Sequence, residues 1–317
     1  MKLITLNEST LSENKLLKRL FIESKEHFFK IEGREPLAPL VDINKVIPEI
    51  PKEACHSLSI YYFEQLIGYL WVFDDSPTSF YILHFYISEQ YRNLGFGKLA
   101  LRELENSYYN QQLKTAELVV SGVNFVGLKF WQSVGFDKII DVYKPDEIGS
   151  FSTELELQKN YSFHEKDIVL LLPFERVNNL SRSELILSEK QTDATFALSV
   201  PEAIKEASKN LTMISYLICL NNEVVGYTSL AFDETDLKSE NRNWLCQYTI
   251  KKSDRSKAYA AKVMPIIINH FLHRGVPDIT LSINASNEQA KEFYQKFGFV
   301  HVGHQGVNKI LMKKTLF

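Results

Sequence analysis

The chain has 317 residues, 45% apolar and 24% charged, with a formal net charge of −3. That length corresponds to about two domains; the composition excludes a disordered, collagenous or coiled-coil chain, and the mild acidity argues against a nonspecific binder of nucleic-acid backbone. No apolar run approaches the ~18 residues of a membrane span, and Cys55, Cys219 and Cys246 lie too far apart for a disulfide framework or a zinc spacing.

The chain turns polar by Asn7-Glu8, too early for a signal peptide. The expected compartment is therefore the cytoplasm, where thiols stay reduced. A helix-rich opening leads to a hairpin whose strands, 57–63 and 66–73, flank Glu64-Gln65. A strand over 81–87 ends in a glycine loop. A helix over 97–110, a strand over 117–120, a helix over 125–133 and a strand over 152–157 follow. The polar stretch from Gln158 to Lys166 sets a boundary near residue 163. A new strand opens at 168–172, and a second hairpin, 215–220 with 224–232, flanks Asn221-Asn222-Glu223.

The two halves repeat each other. Arg92-Asn-Leu-Gly95-Phe-Gly97 aligns with Arg255-Ser-Lys-Ala258-Tyr-Ala260, and Asn124 through Trp131 aligns with Asn287 through Tyr294. Gly135-Phe136 aligns with Gly298-Phe299, and every pair is separated by 163 positions. Phe96, Ala100, Leu104 and Tyr108 match Tyr259, Val263, Ile267 and Phe271, four-residue steps along one helical face. The hairpins, which share Gly68-Tyr69 and Gly226-Tyr227, are offset by 158, so the second half carries a five-residue insertion, expected within 233–243. A strand–helix–strand unit implies a parallel pair, while the hairpins add antiparallel strands. The expected fold is two α/β domains with mixed sheets, residues 1–160 and 164–317, related by duplication.

The segment Ile87 through Lys98 carries the clearest chemistry. A strand ends, glycines turn the chain, and a helix begins. The first N–H groups of a helix have no intrahelical partner, and with the helix dipole they attract anions. Glycines let backbone approach an anion closely, and Arg92 and Lys98 add positive charge. A turn with a solvated basic rim is the plainer reading. Gly95-Phe-Gly97-Lys-Leu-Ala100 also fits the dinucleotide pattern G-x-G-x-x-G/A. That pattern needs an acid closing the following strand, and Ser121 stands there instead.

The loop Arg92-x-x-Gly95-x-Gly97, followed by Asn124-x-x-Gly127-x-x-Phe130-Trp131-x-x-x-Gly135-Phe136, resembles the GNAT family of N-acetyltransferases. Asn287-Glu-Gln-Ala290-Lys-Glu-Phe293-Tyr294, closed by Gly298-Phe299, is closer still to the second family motif. The resemblance implies a tandem pair of GNAT-like domains that use acetyl-coenzyme A. It assigns the donor site to strand residues Phe85, Tyr86 and Ile87, to the loop Arg92, Asn93, Leu94, Gly95, Phe96, Gly97 and Lys98, and to Asn124 and Trp131. Backbone groups of Phe85 and Ile87 would hold the pantetheine and polarise the thioester carbonyl. Asn124 would touch the coenzyme arm.

The family's usual acid is a tyrosine in the second motif. Trp131 has no hydroxyl there, whereas Tyr294 occupies that position in the second half. That half departs at Ala258, in place of the first loop glycine, and carries Pro265 inside its helix, where proline costs about 3 kcal/mol or forces a kink. Its coenzyme site is expected to be weak or lost. For the base, Tyr81 stands where several family members carry Glu. His84 lies nearby on the opposite strand face unless a bulge intervenes; Glu89 and water are further candidates. Transfer is expected to be direct, since no cysteine lies in either motif.

The region 16–53, with Phe28, Phe29, Glu32, Arg34, Glu35, Asp42, Glu49 and Glu53, would shape the acceptor pocket, and its acidic excess suits a cationic amine. The expected partner is a small-molecule or peptide amine, with no nucleic acid and no membrane. No metal is expected: His270 with His273, and His301 with His304, lack a completing carboxylate or cysteine. Two rival functions remain at this stage, a non-catalytic acyl-coenzyme A sensor or scaffold, and catalysis in the second half with Tyr294 as acid. Acyl length and oligomeric state do not follow from the residues.

Overall fold

A computed structural model describes residues 2–36, 51–108, 113–145, 152–161, 167–176, 204, 205, 207, 209, 212–232, 243–251 and 258–317. The chain divides into two compact units, Lys2–Lys166 and Asp167–Phe317.

The first unit runs β1 (Ile4–Glu8), α1 (Asn14–Glu32), β2 (Cys55–Tyr62), β3 (Gln65–Ser76), β4 (Ser79–Ile87), α2 (Phe96–Tyr108), β5 (Thr115–Ser121), α3 (Phe125–Ser133), β6 (Lys138–Tyr143) and β7 (Glu154–Asn160). Its seven strands lie in the order β1-β2-β3-β4-β5-β7-β6. Among the described residues β4 and β5 pair in parallel and the other neighbours are antiparallel. The second unit holds β8 (Val169–Pro173), β9 (Met213–Leu220), β10 (Glu223–Phe232), β11 (Asn243–Ile250), α4 (Tyr259–His273), β12 (Asp278–Asn284), α5 (Glu288–Lys296), β13 (Val300–Gln305) and β14 (Lys309–Thr315). Its order, β8-β9-β10-β11-β12-β14-β13, repeats that of the first.

The four-residue helical steps are core faces. Phe96, Ala100, Leu104 and Tyr108 are buried on α2, and Val263, Ile267 and Phe271 on α4. Helix α4 continues across Pro265. Helix α1 buries Leu17 and Leu20 against Tyr69, Trp71 and Tyr86. Gly33, at φ 71, ends it, and the Gly33 N–H returns to the Phe29 carbonyl at 3.0 Å.

The repeat extends to irregularities. Strand β3 has an extra residue at Ile67, between the pairs Ile60↔Gly68 and Tyr61↔Leu66; β10 has one at Val225, between Val224↔Cys219 and Gly226↔Ile218. Strand β4 bulges at Leu83, between Trp71↔His84 and Val72↔Ile82; β11 bulges at Cys246, between Ser229↔Gln247 and Leu230↔Leu245. The shared Gly-Tyr pairs now have a reason. A Cβ on Gly68 would stand 2.3 Å from the Tyr86 carbonyl oxygen, and one on Gly226 2.2 Å from that of Thr249. Neighbouring backbone occupies the space a side chain needs.

Several elements differ from expectation at their ends. The first hairpin extends to 55–62 and 65–76, helix α2 begins at Phe96 with residues 109 and 110 outside the described residues, and the strand expected at 152–157 spans Glu154–Asn160. Asp42 and Glu49, most of the expected insertion, and much of the opening of the second half lie outside the described residues. Among the described residues, no helix is long and apolar enough to cross a membrane.

Candidate active site

The site begins where β4 and β5 part. Their pairing runs from Ser79↔Thr115 to Ile82↔Leu118 and goes no further, although β4 continues to Ile87 and β5 to Ser121. The Tyr86 carbonyl points at Gly68 on β3, and Ser88 donates its N–H to Ile67 on β3 at 2.9 Å. In a trans peptide the N–H and C=O point opposite ways. The Ile87 N–H and C=O are therefore both turned away from β3, toward the β5 side.

Beyond β4 the chain makes a turn at Glu89–Tyr91 and then a loop with Asn93 at φ 61 and Gly95 at φ 82, either side of Leu94. Left-handed residues of this kind let successive N–H groups converge. Leu99 N–H donates to Gly95 O at 3.2 Å, so the N–H groups of Phe96, Gly97 and Lys98 precede the intrahelical ladder of α2. Gly97 packs closely on α3: a Cβ would stand 3.0 Å from the Phe130 ring, which would have to give way by a few tenths of an ångström. Phe85 meets Phe130 at 5.6 Å and Trp131 at 5.7 Å between ring centroids, which seats α3 against β4.

Arg92 serves the scaffold. Its Nε donates to the Ile87 carbonyl at 2.8 Å, its Nη1 lies 2.9 Å from His27 Nδ1, and its guanidinium lies over the Tyr86 ring. Asn124 is also committed internally. Its Oδ1 accepts from Gly127 N–H at 2.8 Å as the N-cap of α3, and its Nδ2 donates to Glu32 at 2.7 Å. Asn287 caps α5 in the same way, from Ala290 at 3.0 Å. The expected side-chain contact to a coenzyme arm thus competes with a cap.

The bulge at Leu83 alters the expected parity. Tyr81 opposes Phe73, His84 opposes Trp71 and Tyr86 opposes Tyr69, so Tyr81 and His84 share one face of β4 rather than opposite faces. His84 is enclosed by Phe28, Tyr69 and Trp71, with centroids 5.1, 5.3 and 5.1 Å away. Ser24 donates to the Phe21 carbonyl, and the Tyr69 hydroxyl donates to Ser24 Oγ at 2.9 Å. With that proton committed, His84 Nε2, at 3.2 Å, donates to Tyr69, and Nδ1 carries the lone pair.

Burial holds the His84 pKa down at about 3. The folded state therefore resists a proton that the unfolded chain accepts near pH 6.5. The stability this contributes is complete above that pH and is lost as the pH falls, at about 1.4 kcal/mol per unit. Urea unfolding at pH 7 and pH 5 is expected to show a fall about 2 kcal/mol smaller in His84→Gln than in the unaltered chain.

The Tyr81 hydroxyl is pushed upward by burial, and then by Glu156, Tyr143, Glu117 and Glu154. Glu117 accepts from Gln158 at 2.6 Å, Glu156 from Tyr143 at 2.5 Å, and Glu154 pairs with Arg34. These carboxylates on β5 and β7 were missed from sequence. The alternation Glu154-x-Glu156-x-Gln158 was the available signal, since it puts all three on one face.

In the second half Ala258 takes the same left-handed conformation as Gly95, at φ 56. The loop residues 252–257 before it lie outside the described residues. Tyr294 packs edge-on against Phe293 at 5.3 Å and Phe299 at 5.6 Å, as Trp131 does against Phe130 and Phe136. It belongs to the core of that half, and burial raises its pKa. His270 bonds Tyr216 at 2.9 Å, and His301 meets His304 edge-on. Among the described residues, no group of three His, Cys, Asp or Glu side chains stands ready for a metal.

The description "Acetyltransferase (GNAT) family" matches the chain twice, over residues 17–136 and 179–299. The parallel pair β4 and β5, its counterpart β11 and β12, paired in parallel at Trp244↔Thr280, and these two matches together define the class: the chain belongs to the GNAT acetyltransferase family, as a tandem of two such domains. Similar solved structures include a GNAT acetyltransferase from Elizabethkingia anophelis with acetyl-coenzyme A bound (16% identity, 51% of this chain and 100% of that one, TM-score 0.36). Another is the PaiA N-acetyltransferase from Thermoplasma acidophilum in complex with coenzyme A (19%, 50% and 99%, 0.38). A third is the Salmonella typhimurium acetyltransferase that modifies the N-terminal serine of ribosomal protein L7/L12 (13%, 51% and 97%, 0.43). No curated protein matches the chain.

Proposed function

We propose that the first half binds acetyl-coenzyme A and transfers its acetyl group directly to an amine, while the second half has a structural role. The observation that carries this reading is the end of β4, unpaired on its β5 side with the Ile87 N–H turned that way, followed after one turn by the left-handed Asn93 and Gly95. In this reading the N–H groups at the start of α2 receive the pyrophosphate, and the Ile87 N–H polarises the thioester carbonyl. The amine nitrogen attacks the carbonyl carbon, the C–S bond breaks, the amine loses a proton to a base and the thiolate gains one. Much of the acceleration is positioning of amine against thioester. Glu117, Glu154 and Glu156 on the sheet face that carries Tyr81 favour a cationic acceptor, whether a small molecule or a peptide amine.

The test is thiol release from acetyl-coenzyme A across a panel of polyamines, lysine peptides and neutral amines. Release is expected with cationic acceptors. Donor binding without release in any mixture would overturn the enzymatic reading. It would favour an acyl-coenzyme A sensor, a reading supported by Trp131 at the position of the family's tyrosine.

A further inference from the structure

We infer that Glu23 of α1 is a positioning residue for the donor loop, an inference that rests on the proposed donor site in the first half. Its carboxylate takes the Ser88 hydroxyl at 2.9 and 3.1 Å and the Glu89 N–H at 2.8 Å. These groups open the turn at Glu89–Tyr91, where Ser88 stands at the N-cap and makes no side-chain cap bond of its own. A helix 65 residues earlier in the chain supplies the cap instead. One helical turn further along α1, His27 takes the Nη1 of Arg92, whose Nε holds the Ile87 carbonyl. Glu23 and His27, at i and i+4, thus grip both ends of the segment between β4 and the left-handed loop.

Charge argues for geometry as the purpose. A carboxylate close to a loop that receives a pyrophosphate opposes the anion by its field. Its contribution must come from fixing where the following N–H groups point. Acetyl transfer tolerates little displacement of such groups, because rate and affinity both depend on their alignment.

The test is calorimetric titration of acetyl-coenzyme A into the intact chain, into Glu23→Ala, Glu23→Gln and Ser88→Ala, and into the double variant Glu23→Ala/Ser88→Ala. Glu23→Ala is expected to raise the dissociation constant about tenfold, with a thermal midpoint within about 2 °C of the unaltered chain. Glu23→Gln, whose amide oxygen still accepts from Ser88 and Glu89, is expected to bind within about twofold of the unaltered chain. Ser88→Ala is expected to weaken binding less, and the double variant no more than Glu23→Ala alone, because Ser88 acts through Glu23. If the unaltered chain binds and Glu23→Ala binds within about twofold of it, the inference fails alone. Multiplying effects in the double variant would also overturn it. If the unaltered chain binds no acetyl-coenzyme A, the donor reading fails and the inference falls with it.

Discussion

Gly95→Val is expected to weaken acetyl-coenzyme A binding by at least about 30-fold. Gly95 sits at φ 82, a conformation that costs an L-residue roughly 1–2 kcal/mol and a β-branched one more. The Gly95 carbonyl is also the first acceptor of the α2 ladder, taking Leu99 N–H at 3.2 Å. Valine must either hold the strained backbone or rotate out of it. Rotation carries the N–H groups of Phe96, Gly97 and Lys98 away from their common direction. Ala258, at φ 56 in the second half, bears a single methyl in the same conformation. Gly95→Ala is accordingly the milder change, and the two variants should rank in that order by calorimetry.

Gly68→Ala is expected to destabilise the chain by about 3 kcal/mol and to weaken donor binding with it. The new Cβ would lie 2.3 Å from the Tyr86 oxygen, 3.2 Å from the Ile87 Cα and 3.3 Å from the Tyr86 carbonyl carbon. All three are backbone atoms, so no rotamer relieves the contact. Strand β4 must move, and the peptide that moves is the one that turns the Ile87 N–H toward the β5 side. Urea unfolding measures the first effect and donor titration the second. A variant as stable as the parent would mean that β3 and β4 separate more easily than their pairing suggests.

The duplication was legible because glycine loops, helical faces and aromatic pairs keep one spacing, and the strand order of the two sheets bears this out. The Gly68-Tyr69 and Gly226-Tyr227 pairs were visible, but their reason was not. A carbonyl pressing on a glycine comes from a partner strand, and strand register is not written in local periodicity. The bulge at Leu83 was foreseen only as a condition on His84. It puts His84 beside Tyr81 and inside an aromatic box, where the ring is held neutral. Asn124 was read from its motif as a contact for the donor; that its side chain also caps α3 and meets Glu32 was not legible there. Glu23 gave no signal at all, since its partners Ser88 and Glu89 are 65 and 66 residues away. Trp131 and Tyr294 were compared for the hydroxyl that only Tyr294 has; their shared edge-on packing between two phenylalanines was not legible in the motif.

The most direct measurement is the stoichiometry of acetyl-coenzyme A on the intact chain by calorimetry. One site per chain, lost in Gly95→Val, is the predicted result. A single site that survives Gly95→Val, or two sites, would contradict the assignment of the donor to the first half alone.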